Sequence, residues 1–171
     1  MLNNKEFDFL KVRLEKINNK IPCINRGGCG LFAVELAIRL KKIKIPCKLV
    51  IIDTYGVIEE YTDDINEYGY VLPDSNKPSH VMVKVGRRYI DSDGVSTRSE
   101  VFEEWMYANH LEIKPEQFIQ SARTEYGWNC AFRRSKKSLN LIKRHLTKTC
   151  AELKILQAKE KRKAVSKKKR K

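Results

Sequence analysis

Apolar side chains recur at three- and four-residue steps near the start of the chain, at Phe7, Leu10, Leu14 and Ile17. That spacing predicts an amphipathic helix over residues 4 to 19. A loop with Pro22, Gly27 and Gly28 follows, and from Gly30 to Lys44 the pattern is apolar around most of a helical circumference, with Leu31, Val34, Leu36, Ile38 and Leu40. A helix of that kind belongs in the centre of a core. Cys47 to Asp53 (CKLVIID) is a short β-branched run bounded by Pro46, the signature of a buried strand. Residues 54 to 78, rich in Tyr, Asp and Asn, read as a surface excursion. From Ser79 to Ser92 apolar and polar positions alternate on either side of Gly86-Arg87, a hairpin signal. Thr97-Arg-Ser-Glu100 is a capping box opening a helix with Val101, Phe102, Trp105 and Met106, and Pro115 can start another through Gln120. Leu139, Ile142, Leu146, Leu153 and Leu156 fall at helical spacing in the last segment, and no internal repeat is visible. Helices interleaved with a small antiparallel sheet make an α+β fold.

Charge divides this pattern unevenly. The 171 residues hold 35 Lys+Arg and 21 Asp+Glu, a net charge of +14. Residues 133 to 171 contain 17 of the basic residues and two acidic ones, Glu152 and Glu160, leaving 18 basic and 19 acidic for the other 132 positions. This predicts a near-neutral domain over 1–132 and a basic, helical and partly disordered tail over 133–171. About 130 residues suffice for one buried core. No apolar run approaches the roughly 18 residues of a spanning helix, and the N-terminus lacks the apolar region of a signal peptide. Five cysteines without a secretory signal read as free thiols in a reducing, intracellular compartment.

The candidate chemistry lies where Cys29 follows Arg26-Gly27-Gly28 at the mouth of the buried helix. A helix N-terminus offers free N–H groups and partial positive charge, which stabilise a thiolate and a developing oxyanion alike. Glycines there let backbone N–H groups approach a substrate carbonyl. The plainer alternative is a tight loop with a small buried residue. His80 opens the first strand of the predicted hairpin. A two-residue turn at Gly86-Arg87 pairs Val85 with Arg88 and Val83 with Ile90, so that Asp91 lies diagonal to His80 and Asp93 directly opposite. Either acid would be placed to orient the imidazole. Nucleophile, base and acid are the parts of a thiol triad.

In order and spacing, the helix-borne Cys29, the strand His80 and the pattern His-Val-x-Val-x-Val-Gly-x-x-Tyr-Ile-Asp-x-x-Gly resemble the transglutaminase-like and papain-like cysteine peptidase superfamily. Arg26-Gly-Gly-Cys29 is also similar to the arylamine N-acetyltransferases of that superfamily, and the compact size resembles its small phage-type members. The resemblance covers residues 26 to 94. It implies a papain-like core with Cys29 as nucleophile, His80 as general base and Asp91 as orienting acid, Asp93 substituting if the register differs. Backbone at Gly28 or the amide of Asn25 would line an oxyanion hole, and Arg26 would contact a substrate carboxylate or phosphate. The implied activity is hydrolysis or acyl transfer on a peptide, isopeptide, other amide or ester, without a cofactor. Acetyl transfer is not carried over: the acetyltransferases have one residue between the glycines and the cysteine, and this chain is too short for their acyl-carrier binding domains.

Other residues give weaker signals. Cys23 with Cys29, or Cys130 with His145 and Cys150, match no common zinc spacing, so no metal is expected. Cys47 and Cys150 sit in apolar contexts typical of packing thiols, and His110 and His145 fall on polar helix ends. The basic tail admits three readings: solvation, docking of its Leu/Ile stripe on the body, or binding of DNA or RNA. With no aromatic residue beyond Phe132, nucleic-acid binding would be directed at the backbone and tolerant of sequence. Two classes of function follow: a tethered thiol enzyme, or a non-enzymatic nucleic-acid-associated or virion structural protein that acts through the tail.

Overall fold

The computed structural model describes residues 2–21, 24, 29–53, 80–104, 109–115 and 136–168. Arg26, Asn25, Gly28, Cys23, Cys130, Trp105, Trp128, the 54–78 excursion and the body of the helix expected after Pro115 lie outside them.

The chain opens with α1 (Asn4–Asn18), whose capping box the Asn-x-x-Glu start dictates. Asn3 Oδ1 accepts from the Glu6 amide at 3.0 Å, and Glu6 returns a carboxylate oxygen to the Asn3 amide at 2.8 Å. Helix α2 (Cys29–Lys42) runs through the centre, with Phe32, Ala33, Leu36, Ala37 and Leu40 wholly buried. It ends where Lys44 adopts a left-handed φ of 62° and the Ile45 amide reaches back to Leu40 O at 2.9 Å, a Schellman closure made without glycine. Strand β1 (Lys48–Asp53) follows. The predicted hairpin is β2 (His80–Val85) and β3 (Arg88–Ile90), in the register read from the sequence: Val83 pairs with Ile90 and Val85 with Arg88. Gly86, with φ 61°, takes the first turn position, where a glycine relieves the twist between strands.

A two-residue strand β4 (Val95–Ser96) leads into α3 (Arg98–Glu104). Its capping box forms as the sequence predicts, with the Thr97 hydroxyl accepting from the Glu100 amide at 3.3 Å. Strand β5 (Asn109–Ile113) was not legible in the pattern, which put His110 on a helix end; it pairs antiparallel with β1, Ile52 opposite His110. The sheet order is β4-β3-β2-β1-β5, antiparallel throughout. The chain is thus α+β, a five-stranded antiparallel sheet packed between helices.

The long helix α4 (Lys136–Lys168) changes the division drawn from charge. Ile142, Leu146, Cys150 and Leu153, one stripe of that helix, are buried in the same core as Leu10 and Leu14 of α1, Leu36 and Leu40 of α2, and Leu49, Ile51, Val81 and Val83 of the sheet. The cationic segment therefore supplies one wall of the main core, and the packing does not divide at residue 132. Partly exposed ion pairs, Arg13 with Glu152 at 2.6 Å and Lys5 with Glu160 at 2.9 Å, align α4 along α1 but add little energy. The apolar stripe dominates, at about 1.5–3 kcal/mol for each large side chain removed from water. A smaller cluster, Val50, Ile52, Met82, Tyr89 and Val101, fills the other sheet face beneath α3. No helix among the described residues is long and apolar enough to cross a membrane.

Leu146→Ala should destabilise the protein by about 2–5 kcal/mol, as a buried leucine in any core would. Urea unfolding checks this; a loss below about 0.5 kcal/mol would mean that α4 is dispensable to the fold.

Candidate active site

Cys29 is the first residue of α2, so its position is set by the most deeply buried helix of the molecule. His80 is the first residue of β2, and Asp91 follows the last residue of β3. Packing of α2 on β2 brings these three ends together. All three residues are nearly excluded from solvent, with fractional exposures of 4% for Cys29 and 7% for both His80 and Asp91.

The imidazole is the hub. His80 Nε2 lies 2.9 Å from Asp91 Oδ2. Cys29 lies close enough to the same ring to act on its proton affinity. Burial by itself would lower the pKa of His80. The hydrogen bonds to Asp91 and Cys29, together with the charge on those two groups, outweigh it and raise the value from 6.5 to about 10. Across neutral pH the ring is an imidazolium held between an acid and a sulfur.

Asp91 is fixed independently of His80. Its second oxygen, Oδ1, accepts from the amides of Asp93 at 2.8 Å and Gly94 at 3.1 Å, while its own amide donates to Gly94 O at 3.1 Å. Gly94 holds φ at 144°, a conformation that side-chain-bearing residues rarely adopt, so the turn that aims Asp91 requires glycine there. A carboxylate bonded through both oxygens has its rotamer set before any substrate arrives. Asp93, the alternative acid, is placed elsewhere: its carboxylate accepts from Asn18 Nδ2 at 2.6 Å and ties the turn to the end of α1. Of the two acids left open by register, Asp91 is the one that meets the imidazole.

The other described thiols sit in different surroundings. Cys47 is half-buried, with its sulfur 3.9 Å from Ala37 O, and burial pushes its pKa up against the opposing pull of Lys41. Burial raises Cys150 to about 11, with Arg39 opposing. Among the described residues, no histidine is one of the groups that act on either thiol. His110 lies on β5 with its ring stacked on Phe102, centroids 4.4 Å apart, and His145 is driven down by burial and by Lys20, Arg144 and Lys148. Sequence reasoning reached the three clustered residues but not the part played by Gly94, which it carried only as the end of a motif. The signal was present in the Asp-x-x-Gly spacing, which suits a turn closed by an acid side chain. No protein-family model, curated protein or solved structure matches the chain.

The raised pKa of His80 fixes the sign of a pH effect. Below pH 6.5 folded and unfolded chains both protonate the ring, and its contribution to stability is complete. Between 6.5 and about 10 the folded chain alone retains the proton, so stability falls as pH rises through that window. The urea midpoint of the native protein should therefore drop between pH 6 and pH 9.5 by more than that of His80→Gln. Equal slopes for the two proteins would show that the ring is not charged in the fold.

Proposed function

We propose that the chain is a cysteine-dependent hydrolase or acyl transferase with a papain-like, transglutaminase-like core, in which Cys29, His80 and Asp91 act as nucleophile, acid–base and orienting carboxylate. The observation that carries the reading is the buried grouping of Cys29 with a His80 ring that is hydrogen-bonded to Asp91, built from the start of a helix and the ends of two strands. Its substrate would be a carbonyl compound with an amine or alcohol leaving group: a peptide, isopeptide, other amide or ester.

The chemistry follows from where the proton rests. The thiolate is the nucleophilic form of a cysteine, and the C–S bond forms from it as the carbonyl π pair moves to oxygen. The oxyanion is met by N–H groups at the start of α2, reinforced by the helix dipole. On collapse of this intermediate the carbon–nitrogen or carbon–oxygen bond breaks, and the His80 proton goes to the leaving group. The product is a thioester on Cys29 and a neutral imidazole. That imidazole then takes a proton from water, or from an acceptor amine or alcohol, as it attacks the thioester; the acyl group departs and the imidazolium is restored. Asp91 holds the imidazole in its orientation throughout. Free thiols at Cys29, Cys47 and Cys150 accord with work in a reducing compartment.

Iodoacetamide at pH 7 followed by peptide mapping tests this directly. Cys29 should be carboxamidomethylated at least tenfold faster than Cys47 or Cys150, and His80→Ala should slow that reaction by at least tenfold while the other two thiols are unaffected. Five cysteines labelling at one rate would remove the enzyme reading.

A further inference from the structure

Helix α4 carries exposed cations on several sides, Lys154 and Lys161 among them, and five of them line up along one side. Lys137, Arg144, Lys148, Lys159 and Arg162 are exposed, and at about 100° per residue they fall within a strip roughly 60° wide and about 37 Å long. The buried stripe of Ile142, Leu146, Cys150 and Leu153 lies on the opposite side. Glu152 borders the strip and pairs with Arg13, while Glu160 lies well round the helix and pairs with Lys5 and, at 3.7 Å, Lys163. Among the described residues none of the five cations on the strip is paired with a carboxylate. Lys143, nearer the core, is by contrast drawn to Glu35 at 3.6 Å. Both acids of the segment are thus engaged by cations of α1, while five of its exposed cations stand in a row that faces outward.

We propose that this strip is a docking surface for the phosphate backbone of a nucleic-acid duplex. A row of long, single-sign side chains on a rigid helix, about one duplex turn in length, suits a surface whose charge is regular and extended. A membrane is a poorer match, because an interfacial helix needs a free apolar face and that of α4 is consumed by the core. Ile155, 56% exposed, is the large apolar side chain on the strip among the described residues. An acidic protein partner is a poorer match for the same reason, since protein interfaces are centred on apolar and aromatic anchors. With phosphates as the contacts, recognition is indifferent to base sequence.

Binding of the full-length protein to a fluorescein-labelled 20-base-pair DNA duplex, followed by anisotropy over a salt series, tests the proposal. Five phosphate contacts give a slope of log K against log salt of about −4.5. The triple variant Arg144→Gln, Lys148→Gln, Arg162→Gln should flatten that slope by about 2.7 and weaken binding at least tenfold at 100 mM salt. A control with the same loss of charge, Lys16→Gln, Lys42→Gln, Arg87→Gln, should leave the slope within one unit of wild type. As a second readout, bound duplex should protect Lys148 and Lys159, but not Lys16 and Lys42, from acetylation. The proposal is overturned if the control triple weakens binding as much as the strip triple, or if the duplex protects all lysines equally. It is also overturned if phosphatidylserine vesicles or polyglutamate, at equal charge, displace the labelled duplex as well as unlabelled duplex does.

Discussion

A helix that is apolar around nearly its whole girth must be covered on every side, and α2 imposes that requirement on the rest of the fold. Phe32, Ala33, Leu36, Ala37 and Leu40 are all fully buried, a span of residues that no single neighbour could enclose. The sheet covers one side through Leu49, Ile51, Val81 and Val83, while α1 and about the first half of α4 complete the enclosure. Because close packing leaves little freedom to slide or rotate, the N-terminal end of α2 is placed to within a fraction of a side chain. Cys29 inherits that placement. The one acid inside this helix, Glu35, is compensated by Arg39 and by Lys143 of α4, so even its polar position joins α2 to the helix that covers it.

The second fixed point is the β2–β3 hairpin and the turn that follows it. A histidine buried alone loses its charge, since desolvation favours the neutral ring. Here the opposing contributions come from two directions, Asp91 on Nε2 and Cys29 beside the ring, and they reverse the outcome. That reversal depends on Asp91 keeping its rotamer, which rests on two amides donated by the turn and on the φ of Gly94. Asn18 holding Asp93 ties the same turn to α1. The electrostatics of the site are therefore decided by backbone conformation at Asp91–Gly94 as much as by the side chains that touch.

How much of this was legible from the residues depended on how local the controlling interaction was. The boundaries of α1 and α2, the β1 run and the hairpin register are written in short-range periodicity and in a two-residue turn, and they were read within one or two residues. The meeting of Cys29 with His80 followed from putting a thiol at a helix start and a histidine at a strand start. The choice between Asp91 and Asp93 was not legible, because it turns on where β3 ends: pairing stops at Ile90, and the chain then folds back on itself instead of continuing a ladder in which Asp93 would sit opposite His80. Strand β5 was missed because Asn109–Ile113 is brief and interleaved with polar residues, and its pairing with β1 is a long-range fact. Net charge was the least reliable guide. It described the surface of the last segment correctly and suggested an appendage, when a helix can carry many lysines and still lend one face to a core.

That last point bears on how the two halves of the molecule are related. If the cations of α4 belonged to a loose tail, their position relative to Cys29 would be an average over many arrangements. Docking by Ile142, Leu146, Cys150 and Leu153 removes that freedom and holds the strip at a fixed distance and angle from the thiol. The contacts that do so run from α4 to α2 itself, through Arg39 to Thr147 at 2.9 Å and Lys143 to Glu35, so the helix that positions the sulfur also positions the charge. On the proposal that a duplex docks along α4, such a surface would supply orientation as well as affinity, because the strip and Cys29 are carried by helices packed in one core. Affinity alone would need no helix, since a disordered run of lysines releases counterions equally well.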